Sequence, residues 1–308
     1  MKRRQLMKLS FAGAASAVMA PILSGTAGQP GRPGGPPVPD ARSTAPLPVP
    51  SSGEIPVAVL LATDAEVVDF TGPWGVFEYV LPPGAQHSPF KLYTVAESKA
   101  PLTVSGGLTV VPDFAFADAP RPKVIVVPAM DVDKAPVAML DWLKSVQSAA
   151  DVTMSVCNGS FVLAKAGLLD RRSATAHHGG YGMLHAMFPE VTLIRGVRYV
   201  EDGKVATAGG LTSGTDLALR VVERYFGRAV AQKTALDLEY QGTGWMHPES
   251  NMMFAKKPVP TKEHPVCPIC EAELDRKTAL KEDYRGATYY FCGEWCRSRF
   301  LAAPQRFK

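Results

Sequence analysis

The stretch Val152-Thr153-Met154-Ser155-Val156-Cys157-Asn158-Gly159-Ser160-Phe161-Val162-Leu163-Ala164 joins a β-type run to a helix-type run with almost nothing between them. A strand that stops at Cys157 and a helix that begins near Phe161 make a sharp turn, which lifts the side chain at its apex into a cleft. Gly159 allows tight packing behind it. The start of a helix also stabilises an anion, so the thiol is expected to ionise more readily than a free cysteine and to act as a nucleophile. The same residues also fit a buried cysteine that behaves as a small hydrophobe.

Outward from this turn, short apolar runs alternate with helical segments. Strands are predicted at Pro56–Ala62, Phe90–Ala96, Val124–Pro128, Val152–Cys157 and Lys204–Ala208. Helices are predicted at Pro73–Val80, Ala135–Ala149, Phe161–Ala166, Tyr181–Phe188, Gly214–Phe226 and Arg228–Tyr240. This alternation is the pattern of an α/β fold around a largely parallel sheet. Ligands in such sheets sit beyond the carboxyl ends of the strands. Asp69, in Asp69-Phe70-Thr71-Gly72-Pro73-Trp74 after the first strand, lies at that end as Cys157 does. It either orients the thiol and carries a proton or caps the helix that Gly72-Pro73 opens.

Three groups of segments resemble the ThiJ/PfpI family: Val67-Val68-Asp69-Phe70-Thr71-Gly72-Pro73, Val156 to Leu169, and Ala174-Thr175-Ala176-His177. So do Arg198-Tyr199-Val200-Glu201-Asp202-Gly203 and Gly210 to Leu219, and the match runs in order over residues 55–245. The branch it resembles most contains isonitrile hydratases and the sensor-like domains of AraC-type regulators. The resemblance implies a flavodoxin-like three-layer sandwich of the class I glutamine-amidotransferase type, often dimeric, so a homodimer is expected. It also implies Cys157 as nucleophile and Asp69 as its acidic assistant, with attack on an isonitrile carbon, a thioimidate-like intermediate, and water addition to an N-substituted formamide. Asn158 stands where the hydratases carry Thr and protease-like members carry His, and completes the candidate catalytic set. Pro128-Ala129-Met130-Asp131 stands where Gly-Gly is usual, which puts one anion-stabilising N–H in question. His177 is expected to be structural. No cofactor is expected in this domain.

Four of the five cysteines fall in the last 42 residues, as Cys267-Pro-Ile-Cys270 and Cys292-Gly-Glu-Trp-Cys296 with 21 residues between the pairs. That spacing can place four thiolates around one tetrahedral metal, the first pair on a turn and the second at i and i+4 of a helix. Zinc is the default occupant, with Cu(I) also suited to thiolates, and two structural disulfides are the alternative. Residues 261–308 resemble a YHS domain, related to TRASH-type metal-binding modules. Its few aromatics could not hold a fold without a metal or cross-links.

At the N-terminus, Arg3-Arg4-Gln5-Leu6-Met7-Lys8 precedes an Ala-rich apolar run to Leu23, resembling a twin-arginine export signal over residues 1–27. Those residues hold four basic and no acidic side chains, and without them the chain carries 29 Lys+Arg against 29 Asp+Glu. No basic surface for nucleic acid remains. Residues 28–54 read as a disordered Pro/Gly-rich linker, and 246–260 as a second linker. The expected protein is periplasmic, delivered by the twin-arginine machinery and membrane-tethered if the signal stays uncleaved. It acts on a small molecule as an isonitrile-hydratase-like lyase or serves as a non-catalytic sensor or metal-handling protein. An AraC-type regulator is disfavoured, because no helix-turn-helix segment follows the domain.

Overall fold

The computed structural model describes residues 45–51 and 53–307. The expected signal peptide and most of the first linker lie outside the described residues. The central sheet is built from β1 (Ile55–Leu60), β2 (Phe90–Ala96), β3 (Phe114–Ala115), β4 (Val124–Val127), β5 (Val152–Ser155), β6 (Tyr199–Asp202) and β7 (Val205–Ala208). Their order is β6-β7-β5-β4-β1-β2-β3. Every pair is parallel except β6–β7, which is antiparallel.

The near-continuous apolar runs of β1 and β4 follow from burial on both faces. Val57 and Val59 of β1, with Val124 and Val126 of β4, face the layer of α1 (Val67–Glu78), α5 (Ser213–Phe226) and α6 (Arg228–Asp237). Ala58, Leu60, Ile125 and Val127 alternate with them and face α2 (Val137–Gln147), α3 (Gly159–Lys165) and α4 (Tyr181–Met187). The result is a three-layer α/β sandwich of flavodoxin-like type, as the sequence predicts. The short strand β6 escapes a reading based on apolar runs, since its Glu201 and Asp202 are held by salt bridges. Glu201 is buried between Arg220 and Arg224 at 2.8 and 3.1 Å, and Asp202 pairs with Arg172.

Two stretches expected to be linkers are folded where the structure describes them. The Leu47 N–H donates to the Arg224 carbonyl at 2.8 Å, so the end of the first linker lies along α5. Past α6, Trp245 is buried and its carbonyl accepts from the Tyr199 hydroxyl at 2.8 Å. Pro248–Phe254 then forms 3-10 turns with Pro248 and Asn251 buried. Arg198 and Tyr240 both bind the buried carboxylate of Asp216, tying this return path to α5.

The C-terminal module is a hairpin of β8 (Leu280–Tyr284) and β9 (Ala287–Phe291), followed by α7 (Glu294–Ala302). Phe291 and Phe300 are fully buried in a small cluster that also takes in Ala186 of α4. The module therefore does not stand as an isolated core. It completes its apolar core against the α/β domain, as so few aromatics require.

Candidate functional site

Cys157 sits between β5 and α3 with φ +57°, the left-handed region that costs a non-glycine residue about 1–2 kcal/mol. The strain is held by the surrounding backbone. Val156 N–H donates to the Val127 carbonyl at 3.0 Å, Cys157 N–H to the Gly209 carbonyl at 2.9 Å, and Gly159 N–H back to Val156 at 2.8 Å. Gly159 is required by packing, because a Cβ there would collide with the carbonyl of Val127 and sit 2.8 Å from that of Pro128. The strand-to-helix turn expected from the sequence is present, with the ends of β4, β5 and β7 meeting around it.

Asp69 is fully buried, in the first turn of α1. The helix begins at Val67, six residues before the predicted start, and carries Pro73 in its interior. Asp69 does not cap that helix. Its Oδ2 accepts from the Ala129 N–H at 2.9 Å across 60 residues of chain, while Oδ1 is buried without a partner. The amide that the sequence left in question is thus committed to Asp69 and not free for an oxyanion.

Burial pushes the Asp69 carboxyl up from 3.8 to about 7, with the Ala129 amide opposing and Glu66 adding to the rise. The expectation of an acidified thiol is corrected here. Burial first, then the charge of Asp69, push the Cys157 thiol up to about 11, against the backbone N–H groups of Leu211 and Asn158. The N-terminus of the seven-residue α3 does not offset desolvation of a thiol that is 7% exposed. The charge of Asp69 therefore opposes ionisation of the Cys157 thiol. Below about pH 7 both are protonated, and between about 7 and 11 Asp69 is ionised while Cys157 keeps its proton.

Asn158 follows the elbow and is half-buried. Its Oδ1 packs against Gly180 and has no hydrogen-bond partner. His177 accepts from the Gly179 N–H through Nδ1 at 3.1 Å, and burial lowers its pKa. It stacks on His178, which in turn stacks on Phe254. These contacts are structural. Leu211, with φ +39°, brings an N–H to the thiol, a role the sequence reading missed because a positive φ at Leu leaves no mark in composition.

The second candidate centre is the set Cys267, Cys270, Cys292 and Cys296, whose sulfurs all lie within 4.8 Å of one another. Cys270 Sγ to Cys292 Sγ and Cys292 Sγ to Cys296 Sγ are each 3.4 Å. Zinc–thiolate bonds of about 2.3 Å in a tetrahedron give sulfur separations near this range, whereas a disulfide needs about 2.05 Å. All four cysteines are free. Hydrogen bonds from Cys270 and Cys296 lower the pKa of Cys267, while Cys267 raises those of Cys270 and Cys296. Four thiols this close cannot ionise together without a cation among them. The donor set therefore fits a thiophilic metal. Cys292 lies in the turn before α7 and not on the helix as expected, since α7 begins at Glu294.

The cluster is seated on α4. The Cys270 backbone crosses so close to Gly182 that a Cβ there would stand 2.5 Å from its carbonyl. Glu271 accepts from Arg195 at 2.7 Å and pairs with Lys257 at 2.9 Å, and Arg299 donates to the Ala186 carbonyl.

Comparison with known proteins follows the same division. Residues 56–224 match the model of the DJ-1/PfpI family and residues 266–308 that of the YHS domain. The chain is 33% identical over 192 residues to isonitrile hydratase of Pseudomonas putida, covering 60% of this chain and 78% of that protein. It is 24% identical over 144 residues to the HTH-type transcriptional regulator CdhR of Pseudomonas aeruginosa, covering 46% of this chain and 43% of the regulator. A ThiJ/PfpI family protein from Pseudomonas syringae superposes with a TM-score of 0.55 at 27% identity, covering 72% of this chain and 92% of that one.

Proposed function

The chain belongs to the DJ-1/PfpI family, and from that premise we propose that it is an exported, Cys157-dependent lyase that hydrates an isonitrile to an N-substituted formamide. The observation that carries this reading is the buried Asp69 carboxyl, held near neutrality beside a cysteine on a strained strand-to-helix turn. The similarity to isonitrile hydratase supports the substrate class.

In the proposed reaction the Cys157 sulfur attacks the terminal isonitrile carbon, and the thiol proton, relayed by Asp69, ends on that carbon. The product is an enzyme-bound thioimidate, Cys–S–CH=N–R. Water then adds to the same carbon, with a proton passing to nitrogen, and the C–S bond breaks to release HC(=O)–NH–R and the thiol. The net change is addition of one water, with no oxidant or reductant. A carboxyl with a pKa of about 7 suits both the donation and the recovery of the proton at neutral pH. The C-terminal module would hold one metal through Cys267, Cys270, Cys292 and Cys296, zinc by default, as a structural closed site. Delivery to the periplasm by the twin-arginine machinery and action as a homodimer belong to the same proposal.

A second reading, a non-catalytic sensor, is favoured by one feature: the thiol raised to about 11 and the Ala129 amide already occupied leave little reactivity at rest. Infrared loss of the isonitrile band of benzyl isonitrile, with formamide formation followed by chromatography, separates the two. Turnover by the wild type that disappears in Cys157→Ser supports the lyase, while no turnover across pH 6–9 supports the sensor.

A further inference from the structure

The four sulfurs of the C-terminal cluster are not equally placed. Cys267, Cys270 and Cys296 are buried, whereas Cys292 is exposed. It stands in the turn between β9 and α7, before Gly293, whose backbone is extended and where an added Cβ would meet nothing within 4 Å. The Cys292 sulfur is 3.4 Å from that of Cys270 and 3.4 Å from that of Cys296. A reagent that reaches the cluster from solvent therefore meets Cys292, with two partner sulfurs already in contact with it.

Cys157 is the other thiol on which an oxidant could act, and it is worse placed. It is buried, and burial and the charge of Asp69 push its thiol up to about 11, while the thiolate is the form that reacts. Cysteines that ligate a metal do so as thiolates. The remaining four cysteines are gathered on one another, so a sulfur oxidised there has a second sulfur to close upon.

We infer that Cys292 is the oxidant-receptive site of this chain: a hydroperoxide oxidises it first, it closes a disulfide with Cys270 or Cys296, and the cluster then gives up its metal. With hydrogen peroxide, the Cys292 sulfur attacks one oxygen. The S–O bond forms, the O–O bond breaks, and the electron pair leaves with hydroxide, which is protonated to water. Sulfur is thereby oxidised by two electrons to the sulfenic acid Cys292–SOH. The sulfur of Cys270 or Cys296 then attacks that of Cys292, the S–S bond forms, the S–O bond breaks, and a second hydroxide leaves and is protonated. Two thiols and one peroxide become one disulfide and two waters. Two of the four donors are then lost, and the pair that remains cannot make a closed tetrahedral site. The inference rests on the metal reading of the cluster and is independent of turnover at Cys157.

Treatment of the full-length, zinc-loaded protein with hydrogen peroxide near neutral pH tests it, with zinc release followed by a chromogenic chelator and oxidised residues located by dimedone trapping and peptide mapping. Cys292 should be labelled first, its disulfide to Cys270 or Cys296 should be the first to form, zinc should leave in step with that disulfide, and a dithiol reductant should restore binding. Cys157→Ser should release zinc as the wild type does. Cys292→His supplies a nitrogen donor of a kind that such sites accept but no oxidisable sulfur, so it should hold zinc and release it no faster with peroxide than without. If that variant holds no zinc, the peptide map of the wild type decides alone. A wild type that takes up no zinc sinks the metal reading together with this inference. First oxidation at Cys157 or at a buried cluster cysteine, zinc retained after Cys292 is oxidised, or peroxide-driven release from Cys292→His at the wild-type rate would overturn this inference alone.

Discussion

Replacing Asp69 by asparagine isolates the energetics of the buried acid. The Asp69 carboxyl is raised in the fold from 3.8 to about 7. A carboxyl raised on folding leaves the native state binding more protons than the unfolded chain between those two values. Its favourable contribution is complete below pH 3.8 and is lost as the pH rises through about 7. The full swing is about 4 kcal/mol, at about 1.4 kcal/mol per tenfold change in proton affinity. The asparagine of D69N would keep an oxygen for the Ala129 N–H and place an amide NH2 where Oδ1 now has no partner, at a cost of about 1–3 kcal/mol that does not vary with pH. The difference in unfolding free energy between D69N and wild type should therefore move by about 4 kcal/mol in favour of the variant from pH 4 to pH 8. Urea denaturation at half-unit pH steps, followed by near-UV circular dichroism with zinc held constant, measures this difference. A difference that stays flat across the range would mean that Asp69 is an ordinary ionised carboxylate, and the account of a carboxyl raised by burial would fall.

Three further outcomes follow from the geometry. Alkylation of Cys157 by iodoacetamide in the zinc-loaded protein should be slow at pH 7 and still rising above pH 9, and D69N should move the profile to lower pH by removing the charge that raises the thiol; a plateau below pH 8 in the wild type would contradict this. Gly159→Ala should destabilise the α/β domain by about 3 kcal/mol or more, because the new methyl meets the Val127 and Pro128 carbonyls and not a movable side chain; an unchanged urea midpoint would refute the packing argument. Purified protein should hold one zinc per chain, and Ser at any one of Cys267, Cys270, Cys292 or Cys296 should weaken zinc binding at least about a hundredfold, since a closed four-ligand site has no spare donor; full retention in a single variant would show that cysteine to be outside the site.

Local sequence was enough for the elements whose cause is local. The run from Val152 to Ala164 carries its own strand, turn and helix, and the two-faced burial of β1 and β4 appears as unbroken apolar runs. The cysteine pairs announce the cluster by spacing alone. Tertiary structure decided what depends on partners distant in the chain. Asp69 meets the Ala129 amide across 60 residues, so its burial and raised pKa could not be read from its own neighbourhood, and the same burial reverses the expected acidity of Cys157. The segment 248–254 looks like a linker because its Pro248 is a local signal, yet it folds because the Arg198 N–H donates to the Pro248 carbonyl and Pro248 and Asn251 are buried. Gly182 gives no sign in sequence that Cys270 will cross it, since the requirement for a missing side chain arises only when two domains meet. Motif and periodicity record what a residue does to its own backbone, whereas desolvation and close approach are set by everything else that surrounds it.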